Sequence, residues 1–169
     1  MRHRIFIAIN LPEDIKEKLA EYQKKWSNLP VKWTKKENLH ITLEFLGYLF
    51  EQDLIELCQK IKEMVSKKKV FTVCLNKICY DPLNKKLPRM IWVTGGKIIE
   101  FNLCPHITLG RIRAWQWRQI EPEERQEINE DINLSFEVNS IEIMESKLKK
   151  GNSEYTILKS YQLGKDLYK

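Results

Sequence analysis

No Cys-x-x-Cys pair occurs in this 169-residue chain, whose four cysteines, Cys58, Cys74, Cys79 and Cys104, lie 16, 5 and 25 residues apart. The usual opening of a structural zinc site is therefore missing, and the cysteines read as reduced, buried and structural. No apolar stretch reaches the 18 residues of a membrane-spanning helix. The short apolar run in MRHRIFIAINLPEDIKEK meets Pro12 and acidic residues too soon for a signal peptide. The expectation is a cytoplasmic protein with no membrane partner. Histidine is scarce too, with only His3, His40 and His106.

What is present in excess is positive charge. Lysine and arginine number 29 against 23 acidic residues, a net charge of +6. That balance suits a phosphate-bearing partner, nucleic acid first, although an ordinary soluble protein also tolerates it. The length fits a single domain over residues 1–169, long enough to bury a real core.

RIFIAIN, residues 4–10, reads as a buried strand, and the segment after Pro12 spaces Ile15, Leu19, Tyr22 and Trp26 as a helix does. VKW and LHITLEFLG read as strands, and residues 51–67 put Leu54, Leu57, Cys58, Ile61 and Met64 on one helical face. The second half opens with the strand VFTVCLNKICY, an exposed basic loop DPLNKKLPR, and the strand MIWVTGG. Residues 114–132 mix aromatics, arginines and acids without clean periodicity and predict a surface excursion with one helical turn. Residues 134–163 predict two strands around the turn KKGNS.

Two of the three histidines open the same tetrapeptide, His-Ile-Thr-Leu, at His40 and at His106. Each copy follows an arginine-led strand, so RIFIAIN…HITL and RMIWVTG…HITL form a weak internal repeat. Alternation along a strand turns His40 and Thr42 one way and Ile41 and Leu43 the other, and His106 and Thr108 likewise. Two such fronts facing one cleft provide an imidazole on either side of a phosphorus centre. One imidazole can deprotonate an attacking water while the other protonates the leaving oxygen, both near their ordinary pKa of about 6.5. Threonine hydroxyls can donate to the phosphate oxygens and a nearby cation can offset developing charge. The scheme needs no metal and no cofactor.

The paired motifs, HITLEFLG preceded by VKWTKKENL and PHITLGR, resemble the two-histidine phosphoesterase superfamily, and within it the RNA 2',3'-cyclic phosphodiesterases, long called 2'-5' RNA ligases. The opening RIFIAINLPEDIKEKL and the closing IEIMESKLKKGNSEYTILKSYQL share the likeness. The resemblance implies a bilobal α+β fold with two pseudo-symmetric antiparallel sheets lining a central cleft and helices outside. It implies hydrolysis of RNA 2',3'-cyclic phosphate ends to 2'-phosphates by a monomer, with reversal to 2'-5' ligation as a side reaction. His40 would be the general acid, His106 the base, and Thr42 and Thr108 would hold the phosphate. Arg111 matches the family's arginine after the second motif, yet strict alternation from His106 puts it on the wrong face unless the strand bulges or ends there.

An exposed ring beside the cleft can stack a terminal base, and Phe45, Trp33 and Trp92 stand nearest the motifs. Residues 84–86 and the arginines of RIRAWQWR can follow an RNA backbone. One departure from the family pattern stands out: 36 residues separate Arg4 from His40 but only 17 separate Arg89 from His106. The second half has no room for the family's helix, so either the helix is absent or a segment is missing from the sequence. The apolar face of MIWV then needs another cover, either the AWQWRQI excursion or a partner subunit. Two rival functions stay open, a phosphodiesterase for a small cyclic nucleotide and a non-catalytic RNA-binding module.

Overall fold

β-branched and aromatic residues with period-two alternation build the strands, and the computed structural model describes residues 1–83 and 85–164. The first half runs β1 (Arg2–Asn10), α1 (Glu13–Lys25), β2 (Val31–Trp33), β3 (His40–Phe50) and α2 (Glu51–Ser66). Helix α1 follows Pro12, carries Glu13 and Asp14 in its first turn and Lys24 and Lys25 in its last, the signs its dipole favours. The second half runs β4 (Phe71–Asp81), β5 (Met90–Gly95), β6 (His106–Ile112), a short α3 (Ala114–Arg118) and β7 (Asn129–Val138). Two further strands, β8 (Ser140–Lys149) and β9 (Asn152–Gln162), complete the described chain.

The strands form two antiparallel sheets of order β3-β1-β8-β9 and β2-β6-β5-β4-β7. Setting β3 on β6 and β1 on β5 brings the two orders into correspondence, with β2 added outside β6. The fold is α+β, and the repeated tetrapeptide is the first part of a repeated strand pair. Strands β3 and β6 meet where the sheets approach each other.

Three expectations need correction. Residues 134–163 hold parts of three strands, because the chain leaves the second sheet after Val138 and enters the first at Ser140 with only Asn139 between. The repeat is one residue out as read: Asn10 pairs His40 and Thr94 pairs His106, so Arg4 and Arg89 are not equivalent. The cysteines are all free, but Cys74 and Cys104 are exposed and only Cys79 is buried.

The core joins both sheets to the helices. Ile5, Ile7 and Ile9 of β1 cluster with Ile15 and Leu19 of α1, Ile61 and Val65 of α2, and Ile91, Val93, Ile107 and Leu109 of β5 and β6. Where the second half lacks a helix between β5 and β6, one 3₁₀ turn, Ile99–Phe101, stands instead. Phe101 packs on Phe71 there, with ring centroids 5.9 Å apart. Trp117 of α3, 3% exposed, joins the same core and meets Tyr80 of β4 edge-on at 5.5 Å, so the AWQWR segment packs on part of that sheet. Helix α1 leans across as well: Gln23 Nε2 donates to Leu109 O at 2.9 Å, and Lys25 pairs with Glu130 of β7.

Candidate active site

A cavity of about 570 Å³ opens between the sheets, and His40, Thr42, Phe45, His106, Thr108 and Arg111 all line it. Alternation puts each His and Thr on one face of its strand, and the two fronts converge on this cavity.

Beyond the threonines, bulges decide what faces the cavity. In β6, Thr108 pairs Trp92 and Gly110 pairs Ile91, so Leu109 is an extra residue without a partner across the ladder. Leu109 and Gly110 are both buried, and Arg111 returns to the cavity side. The bulge condition on Arg111 is met. In β3, Thr42 pairs Ala8 and Glu44 pairs Ile7, which skips Leu43 and turns Phe45 back to the face of His40. Phe45 is 72% exposed at the cavity wall, and its ring centroid lies 6.0 Å from that of Phe6.

His40 is held by hydrogen bonds. Its Nδ1 lies 2.7 Å from Asn38 O and its Nε2 lies 2.9 Å from Thr42 Oγ1. A carbonyl only accepts, so Nδ1 carries a proton, and any proton exchanged with a substrate passes through Nε2. Asn38 belongs to a 3₁₀ turn, Lys36–Asn38, and its Nδ2 donates to Ser153 O at 2.9 Å, tying the turn to β9. Beneath it, Lys16 of α1 is only 6% exposed and donates to Glu37 O at 3.4 Å. Burial lowers the pKa of the Lys16 ammonium.

Both imidazoles sit below the ordinary histidine range. For His40 the main cause is burial, with the charges of Lys16 and His106 adding in the same direction and the Asn38 hydrogen bond opposing them. For His106 burial again dominates, and the Asp81 carboxylate partly offsets it. Among the described residues, no protein atom hydrogen-bonds the His106 ring. It lies instead against Trp92, with centroids 4.1 Å apart and planes inclined by 23°.

Several lining residues carried no signal in the sequence. Arg4, Lys32 and Lys35 add positive charge to the cavity wall, and Ser153 and Tyr155 contribute from β9. Tyr155 stands edge-on to His40 at 5.2 Å. Lys32 Nζ also reaches Gly151 O at 2.6 Å, so the β8–β9 turn is tied to β2 across the gap between the sheets. Asn38 stands two residues before His40, where a carbonyl can orient the imidazole, and that spacing alone could have marked it. Of the proposed stacking rings, Phe45 and Trp33 line the cavity, whereas Trp92 is occupied by His106. Lys85, Lys86, Arg113 and Arg118 are not among the lining residues, and Asn84 falls outside the described residues.

Two imidazoles, two hydroxyls and several cations around one cavity between paired sheets are the groups that acid–base chemistry at a phosphodiester needs. A family model described as LigT-like phosphoesterase matches residues 9–92. The RNA 2',3'-cyclic phosphodiesterase of Methanocaldococcus jannaschii is 29% identical over 178 aligned positions, covering 94% of this chain and 99% of the relative. The protein of the same name from Aquifex aeolicus is 26% identical, with 95% and 97% covered. A solved structure from Thermus thermophilus shares the fold with a TM-score of 0.83 at 23% identity, covering 96% of this chain and 99% of that one. Escherichia coli LigT complexed with 3'-AMP gives 0.75 at 22%, covering 98% and 100%. Over residues 9–92 the chain is similar to the LigT-like phosphoesterase family. The 178 aligned positions exceed the 169 residues here, so the Methanocaldococcus relative carries residues without a counterpart in this chain.

Proposed function

We propose that this chain hydrolyses RNA 2',3'-cyclic phosphate ends to 2'-phosphates by metal-independent acid–base catalysis, with 2'-5' ligation, in which a 5'-hydroxyl attacks phosphorus in place of water, as a side reaction. The observation that carries this reading is the convergence of His40 and His106, each with its threonine, on one cationic cavity. His106 takes a proton from water as the water oxygen bonds to phosphorus. The bond from phosphorus to the 3'-oxygen breaks, and His40 delivers its Nε2 proton to that oxygen. The products are a 2'-phosphate and a free 3'-hydroxyl, with the two histidines left in exchanged protonation states. Thr42 and Thr108 donate to the non-bridging oxygens, Arg111 offsets their growing charge, and Phe45 receives the terminal base. Residues 1–169 act as one bilobal unit and as a monomer, in the cytoplasm. Among the described residues no helix is long and apolar enough to cross a membrane.

The test is an assay of the purified protein against oligonucleotides ending in 2',3'-cyclic, 2'- and 3'-phosphate. Consumption of the cyclic end alone, with a 2'-phosphate product, is expected. Replacing both histidines separates an enzyme from a binding module: turnover disappears while RNA retention persists. Turnover that survives the double replacement overturns the proposal.

A further inference from the structure

The repeated strand pair makes a residue-by-residue comparison of the two histidine environments possible. In the first sheet Asn10 pairs His40 and Ala8 pairs Thr42; in the second Thr94 pairs His106 and Trp92 pairs Thr108. Trp92 thus stands where the first half has Ala8, which is fully buried and offers no ring. Across an antiparallel ladder a residue and its diagonal neighbour on the same face come within reach when one of them is aromatic. Trp92 and His106 are such a diagonal pair, and they stack.

The two histidines are also anchored differently. His40 has a main-chain acceptor for Nδ1 and a hydroxyl at Nε2. His106 has neither among the described residues, and its ring is fixed by the indole face. Resting on the role proposed for His106, we propose that Trp92 is its positioning residue, holding the imidazole by stacking where hydrogen bonds hold His40.

The indole acts through its face. Its Nε1 is buried and has no hydrogen-bond partner among the described residues, a cost to the fold that a phenyl ring would avoid. Tryptophan presents the strongest π-face to a cation. The contact therefore both limits ring rotation and favours the imidazolium that forms when His106 takes its proton from water. The other groups that act on this ring are Asp81 on β4 and His40 on β3, and Arg4, Lys32, Lys35 and Arg111 line the same cavity.

The experiment compares W92L and W92F with the unaltered protein by NMR titration of the His106 ring, by kcat and KM across pH, and by thermal unfolding. W92L is expected to lower the His106 titration midpoint by about half a unit, the size of one cation–π contact. It is expected to cut kcat about tenfold with KM nearly unchanged, as loss of orientation does. W92F, which keeps a stacking face, should restore most of both. An unchanged His106 midpoint in folded W92L overturns the proposal, as does equal impairment of W92F and W92L. The NMR arm needs no turnover, so it decides the role of Trp92 even if the RNA substrate proves wrong, and that error would show in the unaltered enzyme.

Discussion

Phe45 and Arg111 occupy equivalent places in the two halves of the molecule. Each stands five residues after its motif histidine, each follows one bulge, and each lines the cavity. Their partners across the ladder, Phe6 and Met90, are equivalent too. One half thus offers an apolar ring and the other a guanidinium from the same point of the repeat. Replacing Arg111 with glutamine should cut kcat/KM by about 10²–10³ on any phosphodiester, because charge on the phosphate develops whatever the leaving group. Replacing Phe45 with alanine should raise KM for oligonucleotides and leave a small ester without a base almost unaffected. Equal losses on both substrates in the Phe45 variant would rule out its stacking role.

The pH profile follows from burial of the two imidazoles. Both lie below the usual histidine value, so the base becomes neutral and the acid loses its proton at lower pH than free histidine would. Both limbs of kcat/KM should therefore shift toward acid, with a maximum below about 6.5, and each limb belongs to the coupled pair. The same shift has a stability consequence. The unfolded chain binds these protons more readily than the folded one, so stability present above the unfolded value falls as pH drops through it toward the folded values. Thermal unfolding at pH 7.5 and pH 5 should show the loss, and His40→Asn should reduce it. A kcat/KM maximum above pH 7.5 would contradict the assignment.

Gly110 sets the bulge against β2. A Cβ there would meet Val31 Cγ1 at 2.4 Å and Trp33 Cε3 at 3.0 Å, and Val31 is a buried β-branched side chain with little room to turn. Gly110→Ala should destabilise the protein by about 1–3 kcal/mol, visible as a lowered Tm. Because β2 carries Lys32 and Trp33 into the cavity, activity should fall as well. An unchanged Tm would mean that β2 moves freely.

The site was legible where two-residue periodicity decides it and hidden where a partner strand does. His40, Thr42, His106 and Thr108 follow from alternation within one strand. Arg111 and Phe45 do not, since a bulge exists only relative to the strand opposite. The same limit explains residues 134–163: SFEVNSIEI reads as continuous alternation, and nothing in Asn139 announces a change of sheet. Lys16 was invisible for another reason. Its burial comes from the approach of α1 to the Lys36–Asn38 turn, a contact that helical spacing does not encode.

Activity should survive a strong chelator. The cavity can meet the phosphate with Arg4, Lys32, Lys35 and Arg111, and among the described residues no three His, Cys, Asp or Glu side chains gather as a ligand set. The measurement is turnover of a cyclic-phosphate oligonucleotide before and after prolonged EDTA treatment. Loss of activity that zinc or manganese restores would sink the metal-free mechanism.

The division of labour between His40 and His106 is the sharpest test, because the repeat makes their roles look interchangeable. A general acid matters most when the departing oxygen is a poor leaving group, such as the ribose 3'-oxygen, and least when the leaving group departs easily as an anion. A nitrophenyl phosphodiester supplies the second case. His40→Ala should therefore lose much less activity on that ester than on the RNA cyclic phosphate. His106→Ala should lose heavily on both, since water must be activated in either reaction, by a factor of about 10²–10⁴. The reverse pattern would exchange the roles, placing the acid beside Trp92 and the base beside Asn38. Equal losses on both substrates would mean that the imidazoles act by positioning and charge, and that protons leave and arrive through water.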